Sequence, residues 1–136
     1  MTTKALDNAQ AALAKLTAFV SEPATTERDR AGVIQAFEFT FEATWKLLKY
    51  VAEHEGLEAE SPKRAVTAAF KLGLLQDENL WLSMLQDRNL TTHVYHSQLA
   101  DRIFTAISTR YAAALADAVR LAGEAIEAEP RHDITP

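Results

Sequence analysis

The chain has 136 residues, no cysteine and a net charge of −5. The lack of cysteine excludes a disulfide-bonded scaffold, a thiolate metal site and a cysteine nucleophile, and the acidic balance argues against a nonspecific nucleic-acid coat. Ala and Leu supply 41 residues, whereas Gly and Pro supply 8, a composition that predicts a single all-α domain. No apolar run approaches the roughly 20 residues of a membrane span, and no secretory apolar block follows Met1. We therefore expect a cytoplasmic protein.

Two amphipathic helices are predicted in the first half of the chain. The first covers residues 3–20, where apolar side chains repeat at three- and four-residue steps and form one stripe. Residues 21–26 contain a proline and end this helix. Thr25 or Thr26 then caps a second, longer helix over residues 27–55.

The second helix is predicted to have one apolar and one polar face. The apolar face runs from Val33 to Val51, and the polar face carries Glu42 and Lys46 as a favourable i,i+4 pair. Phe39 and Tyr50 also fall on the polar side. These two rings either contact another subunit or are ordinary surface aromatics.

The third helix has the clearest end signals. Ser61 is a good N-cap, Pro62 occupies the first helical position, and Gly73 stands where a left-handed residue ends a helix. The residues predicted to face the core are Ala65, Val66, Ala69, Phe70 and Leu72.

A fourth and a fifth helix complete the predicted domain. Asp77 is expected to cap the fourth, which reaches about Thr92, and Ser97 is expected to cap the fifth, over residues 98–127. Short links between amphipathic helices predict antiparallel neighbours, and hence an antiparallel up-down bundle of about five helices. Residues 1–128 form this single domain, and the proline-bracketed residues 129–136 are predicted to be a flexible tail.

The stretch from Asp87 to His96 contains the residues that indicate a function. On a helical wheel, Arg88 falls within the apolar stripe of the fourth helix. A guanidinium stays charged, so its burial requires a carboxylate, a phosphate or backbone carbonyls as partner. Alternatively, Arg88 lies at the helix end, interacts with the C-terminal dipole and reaches water along its stem. Glu38 and Glu42 either form a solvated face or are partners of Arg88.

His93 follows Arg88 at a distance of five residues, so an unbroken helix would not bring the two side chains together. Either the helix unwinds after Leu90, or the two residues converge with a second copy of the chain across a dimer interface. His93 is suited to act as general acid or base near neutral pH. Arg88 is suited to bind a phosphate and stabilise a phosphorane, and Asn89 to orient either group or hydrogen-bond a nucleotide.

A base and an arginine suffice for RNA cleavage, because the ribose 2′-hydroxyl is the nucleophile and no metal is required. We accordingly expect neither a metal nor a cofactor. His93 and His96 form an i,i+3 pair, but no carboxylate lies at a matching spacing for a metal site.

Three blocks of the sequence together resemble the HEPN superfamily (higher eukaryotes and prokaryotes nucleotide-binding), and within it the nucleotidyltransferase substrate-binding proteins. The blocks cover residues 33–46, 61–74 and 87–95. The superfamily signature is an arginine, usually followed by a polar residue, and then a histidine after a short spacer. Arg88, Asn89 and His93 match this signature.

The resemblance implies a homodimer that brings two arginine–histidine motifs into one cleft, and a metal-independent endoribonuclease that acts as a toxin. Arg88 and His93 would be catalytic, and Arg88 and Asn89 would bind RNA. It also implies a minimal nucleotidyltransferase as cognate antitoxin. In the related toxins the motif reads R-x-x-x-x-H-x-Y, and the partner transfers AMP onto the tyrosine, here Tyr95. The added charge and bulk would repel RNA phosphates.

Two alternatives assign the chain to other classes of protein. The first is a noncatalytic subunit that binds the nucleotide substrate of a nucleotidyltransferase, which the acidic net charge of −5 favours. The second is a bundle that serves only in dimerisation.

Overall fold

The computed structural model describes residues 3–128, and every regular element within that range is helical. The elements are α1 (Lys4–Val20), α2 (Glu27–His54), α3 (Pro62–Lys71), α4 (Glu78–Leu90), a 3₁₀ helix (Thr91–His93), α5 (Ser97–Ala106), a π-helical turn (Ile107–Tyr111) and α6 (Ala112–Ala128). The helices α5 and α6 join through the π turn, so the predicted five-helix, all-α organisation is confirmed. None of the described helices has the length and apolar composition needed to cross a membrane. The predicted tail, residues 129–136, lies outside the described residues.

Side-chain caps fix the starts of three helices as the sequence predicts. Thr26, rather than Thr25, caps α2, and its hydroxyl accepts a hydrogen bond from the Asp29 amide at 3.0 Å. The Asp29 carboxylate in turn accepts a bond from the Thr26 amide, which lowers the pKa of Asp29. Ser61 and Asp77 cap α3 and α4 in the same manner.

Two further predictions about helix ends have opposite outcomes. The prediction that Gly73 is a left-handed residue after α3 is confirmed. Its φ is 79°, a conformation that strains residues with a Cβ. The prediction that Ser97 caps α5 is wrong, because Ser97 is the first residue of the helix and His96 stands at the cap position. No side chain within residues 3–128 caps this end.

The contacts of α2 with its neighbours set the direction of every other long helix. The helices α1 and α4 run antiparallel to α2, whereas the continuous helix α5–α6 runs parallel to it. The pairs that fix these directions are Ala12–Thr40 and Gly32–Phe19 for α1, Glu42–Arg88 and Glu38–Thr91 for α4, and Arg30–Asp101 and Phe37–Tyr111 for α5–α6. This pattern is the predicted up-down bundle, with α2 at its centre.

Aromatic rings from three elements meet at the centre of the bundle. Phe37 and Phe41 are fully buried on α2, and their ring centroids lie 5.6 Å from Tyr111 and 6.2 Å from Trp81 respectively. Phe70, predicted to face the core, is 40% exposed. The buried face of α3 includes Ala65 and Ala69, so that Phe70 lies at its edge.

One carboxylate is buried between α4 and the helix α5–α6. Asp87 is only 4% exposed. The Tyr111 hydroxyl donates a hydrogen bond of 2.6 Å to it, and the Arg102 guanidinium donates two bonds, of 3.0 and 3.3 Å. Burial and the bond to Asp87 raise the pKa of Tyr111. The Asp87 carboxylate is therefore hydrogen-bonded and paired with a cation at a buried position, where an unpaired charge would be costly.

The π turn makes this three-residue arrangement possible. At about 100° per residue, Arg102 and Tyr111, nine positions apart, would point to opposite sides of a regular α-helix. The π turn, residues 107–111, closes i→i+5 hydrogen bonds and accommodates an extra residue in one turn. The chain rotates less per residue there, and both side chains reach Asp87.

The raised pKa of Tyr111 predicts how stability depends on pH. The folded chain holds the Tyr111 phenol in its neutral form. The contribution of this phenol to the free energy of unfolding is therefore complete below the ordinary pKa of 10.0 and is lost as the pH rises above it. We expect Tyr111→Phe to be less stable than wild type at pH 8 but to lose less of its free energy of unfolding between about pH 8 and about pH 11. Urea unfolding across this range measures both quantities, with Tyr50→Phe as the matched loss of a phenol. If the free energy of unfolding fell equally with pH for wild type and Tyr111→Phe, the prediction would be contradicted.

Candidate functional site

The helix α4 unwinds after Leu90, which is one of the two alternatives that the sequence left open. Thr91 begins the 3₁₀ helix and is buried. Its hydroxyl lies 2.6 Å from the Glu38 carboxylate on α2 and 2.7 Å from the Arg88 carbonyl oxygen, so the two acceptors share one proton. This side chain therefore ties the end of α4 to the centre of α2.

Arg88 lies in the last turn of α4, and its side chain is 39% exposed. The prediction that it lies in the middle of the core-facing stripe is wrong. Asp87 takes the buried position, because the Tyr111 hydroxyl and Arg102 supply its partners there. Arg88 is consequently at the flank of the buried face, where it reaches both water and α2.

Glu42 is the partner of Arg88. The Arg88 Nη2 donates a hydrogen bond of 2.8 Å to Glu42 Oε1, and the other oxygen of this carboxylate lies 3.7 Å from Lys46 Nζ. The i,i+4 pair of Glu42 and Lys46 is thus confirmed, as is the interpretation of Glu42 as a partner of Arg88. Within residues 3–128, the Nε and Nη1 donors of Arg88 have no protein acceptor, so one edge of the guanidinium is free for an anion.

His93, Tyr95 and His96 form an exposed group after α4. His93 Nδ1 lies 3.3 Å from the Tyr95 hydroxyl, and the Tyr95 ring lies 4.5 Å from the His96 ring. Tyr95 is 74% exposed. The hydroxyl of the predicted modification site is therefore next to the predicted catalytic imidazole and open to solvent.

The structure brings together only part of the predicted site. Arg88 is paired with Glu42 and His93 with Tyr95, but within residues 3–128 no hydrogen bond or ion pair joins Arg88 to His93. Asn89, predicted to bind substrate, is exposed next to Arg88. Within the described residues, Arg88 and the pair His93–Tyr95 are thus two separate groups.

The two rings predicted on the polar side of α2 have different surroundings. Phe39 is 60% exposed, and it lies one turn from Glu42 on the same helix. Tyr50 is half-buried against the His54 ring at 4.2 Å. Phe39 is thus the exposed apolar side chain of this face.

Sequence reasoning missed Asp87 and Thr91. Asp87 follows Met84 by three residues and Trp81 by six, and Thr91 continues the same spacing. This periodicity was the available signal that both residues share the buried face of α4. Their partners on α2 and on α5–α6 are distant in sequence and carry no local signal.

Comparisons with known proteins give a consistent assignment. Residues 4–121 match the family model described as nucleotidyltransferase substrate binding protein like. A curated relative, the probable ribonuclease HepT of Haemophilus influenzae, is 28% identical over 82 residues. The match covers 57% of this chain and 56% of the relative, so it spans little more than half the length of that protein.

Two solved structures share the fold. A protein from Thermus thermophilus is 39% identical with a TM-score of 0.69, over 88% of this chain and 96% of the other. A Haemophilus influenzae protein, described as having the fold of a substrate binding domain of a nucleotidyltransferase, has a TM-score of 0.74 at 22% identity. That match covers 87% of this chain and 98% of the other.

Loss of the Thr91 hydroxyl is expected to loosen the end of α4. Thr91→Val keeps the shape of the side chain but leaves Glu38 without its partner, so we expect a loss of about 1–2 kcal/mol in the free energy of unfolding. Hydrogen exchange of the amides of residues 91–96 should become faster. The matched control is Thr92→Val, because Thr92 is exposed. Equal effects of the two variants would show that the tie to α2 contributes nothing.

Proposed function

The chain belongs to the nucleotidyltransferase substrate binding protein like family, and from that premise we propose that it is a cytoplasmic toxin, a metal-independent endoribonuclease of the HEPN type. A cognate minimal nucleotidyltransferase is its antitoxin. The observation that carries the proposal is the segment 87–96, in which an arginine with one free edge is followed by an exposed histidine and tyrosine in contact. The likeness to a probable ribonuclease supports it.

The proposed reaction uses the RNA's own nucleophile. The 2′-hydroxyl oxygen attacks the adjacent phosphorus, the bond from phosphorus to the 5′-oxygen breaks, and a 2′,3′-cyclic phosphate and a free 5′-hydroxyl result. His93 accepts the proton of the 2′-hydroxyl or, when protonated, donates one to the departing oxygen. Arg88 binds the non-bridging oxygens through its free edge and stabilises the charge that develops on them.

Both steps require Arg88 and His93 in one place, and we propose that a second copy of the chain completes the site. Among residues 3–128, no hydrogen bond or ion pair joins Arg88 to His93. A homodimer that opposes the two segments 87–96 would form one cleft with two arginines and two imidazoles. Phe39, 60% exposed on the face that carries Glu42, is an apolar side chain available to such an interface.

A noncatalytic subunit that binds the nucleotide of a nucleotidyltransferase is the second candidate. The net charge of −5 favours it over a strong RNA binder. Calorimetry with ATP, with and without the partner enzyme, distinguishes the two. Binding of ATP together with intact RNA after prolonged incubation would favour the subunit.

Removal of either catalytic side chain is expected to abolish cleavage. Arg88→Ala and His93→Ala should each lower the rate of RNA cleavage by about 100-fold or more, because each removes charge stabilisation or proton transfer from the transition state. Arg120→Ala and His54→Ala are matched controls, since both side chains are away from the segment 87–96. Cleavage by the purified chain and growth arrest on expression measure the effect. A harmless wild type that leaves RNA intact would refute the nuclease.

Modification of Tyr95 is expected to switch the nuclease off. In the proposed transfer, the Tyr95 hydroxyl oxygen attacks the α-phosphorus of ATP, pyrophosphate leaves and the phenolic proton passes to solvent. Mass spectrometry after incubation with the partner enzyme and ATP should show one added AMP on wild type and on Tyr50→Phe. Tyr95→Phe should gain none and keep its cleavage activity in the presence of partner and ATP. AMP found on another residue would contradict the assignment.

A further inference from the structure

Arg88, the anion-binding group of the proposed site, is already paired. Its Nη2 donates to Glu42 at 2.8 Å, and both side chains are more than a third exposed. The ion pair is therefore in contact with water, and any anion that approaches the free edge of Arg88 also approaches the Glu42 carboxylate.

The charges around this pair cancel. Lys46 lies 3.7 Å from Glu42, and Glu38, one turn before Glu42 on α2, is bound by the Thr91 hydroxyl at 2.6 Å. Together with Arg88 and Glu42, these side chains supply two cations and two carboxylates. For an arriving anion, attraction to Arg88 is offset by repulsion from Glu42, and this offset grows with each charge that the anion carries.

We propose that Glu42 is a specificity-determining residue, which makes the site bind the singly charged phosphodiester inside a chain in preference to the doubly charged terminal phosphate of a free nucleotide. The inference rests on the proposed function, because it assumes that Arg88 binds phosphate. An unpaired arginine would favour the dianion, since Coulomb attraction is proportional to charge. Glu42 removes that advantage while its single hydrogen bond leaves the other edge of Arg88 accessible.

Binding of two ligands that cannot be cleaved tests the proposal. A deoxydinucleoside monophosphate supplies one diester without a 2′-hydroxyl, and the matching deoxynucleoside 5′-monophosphate supplies a terminal phosphate. Titration of the full chain at one fixed, low salt concentration gives both dissociation constants. Wild type should bind the diester at least as tightly as the monophosphate, and Arg88→Ala should weaken both.

Glu42→Gln retains an oxygen that accepts the Arg88 hydrogen bond but removes the negative charge. We expect it to tighten the diester about threefold and the monophosphate about tenfold, because the second ligand carries twice the charge. The selectivity of wild type should then be lost or reversed. In the double variant with Arg88→Ala, the gain should disappear.

Glu53→Gln is the matched control, because Glu53 pairs with Lys49 on the same helix, about three turns from Glu42. It should leave both dissociation constants at their wild-type values. Equal tightening of the two ligands by Glu42→Gln, or weaker binding of both by a variant that unfolds like wild type, would overturn the inference. If the two ligands bind wild type and Arg88→Ala equally, the proposed function itself fails.

Discussion

The buried Asp87 carboxylate is the constraint on which the rest of the structure depends. A charge at 4% exposure requires donors, and these come from Tyr111 and Arg102 on the neighbouring helix. That helix includes the π turn between the two donors, which changes their relative direction from that in a regular α-helix. The hydrogen bonds of Asp87 therefore join α4 to α5–α6 within a mainly apolar core. Arg88 is the next residue on α4, so its direction toward α2 follows from the burial of Asp87.

Much of the fold follows from local sequence. The caps at Thr26, Ser61 and Asp77 and the left-handed Gly73 are short-range effects, so a reader of the sequence finds them and the five helices between them. Ser97 shows the limit of such rules, because a good capping residue one position too late becomes the first residue of the helix. The π turn is not predicted by these local rules, and the carboxylate that its last residue, Tyr111, contacts lies 24 residues earlier in the chain.

The functional residues of the candidate site stay a prediction, and the structure differs from the sequence reasoning in the placement of Arg88. The pattern of Arg88, His93 and Tyr95 predicts a functional segment there, and the poor helix formers Thr91 and Thr92 indicate that α4 unwinds, as the structure shows. The helical wheel predicts that Arg88 lies on the apolar stripe, because a wheel takes account only of the angular position of each residue and not of the hydrogen-bond partners available to its side chain. An aspartate with a buried phenol as donor occupies that face at lower cost than an arginine whose carboxylate partner is half-exposed.

The electrostatics of the site also bear on how the proposed nuclease, an acidic protein, would cleave a polyanion. An arginine already paired with Glu42 would bind an RNA diester weakly in the ground state. This weak binding would cost little, because only interactions that strengthen in the transition state accelerate the reaction. The phosphorane gains a further negative charge, and the same Glu42 opposes it. That charge is best met by a proton rather than by a second fixed cation. In the proposed reaction the site would therefore depend on its histidine when the phosphorus–oxygen bonds exchange. The exposed His93, brought by a second copy of the chain in the proposed homodimer, would supply that proton.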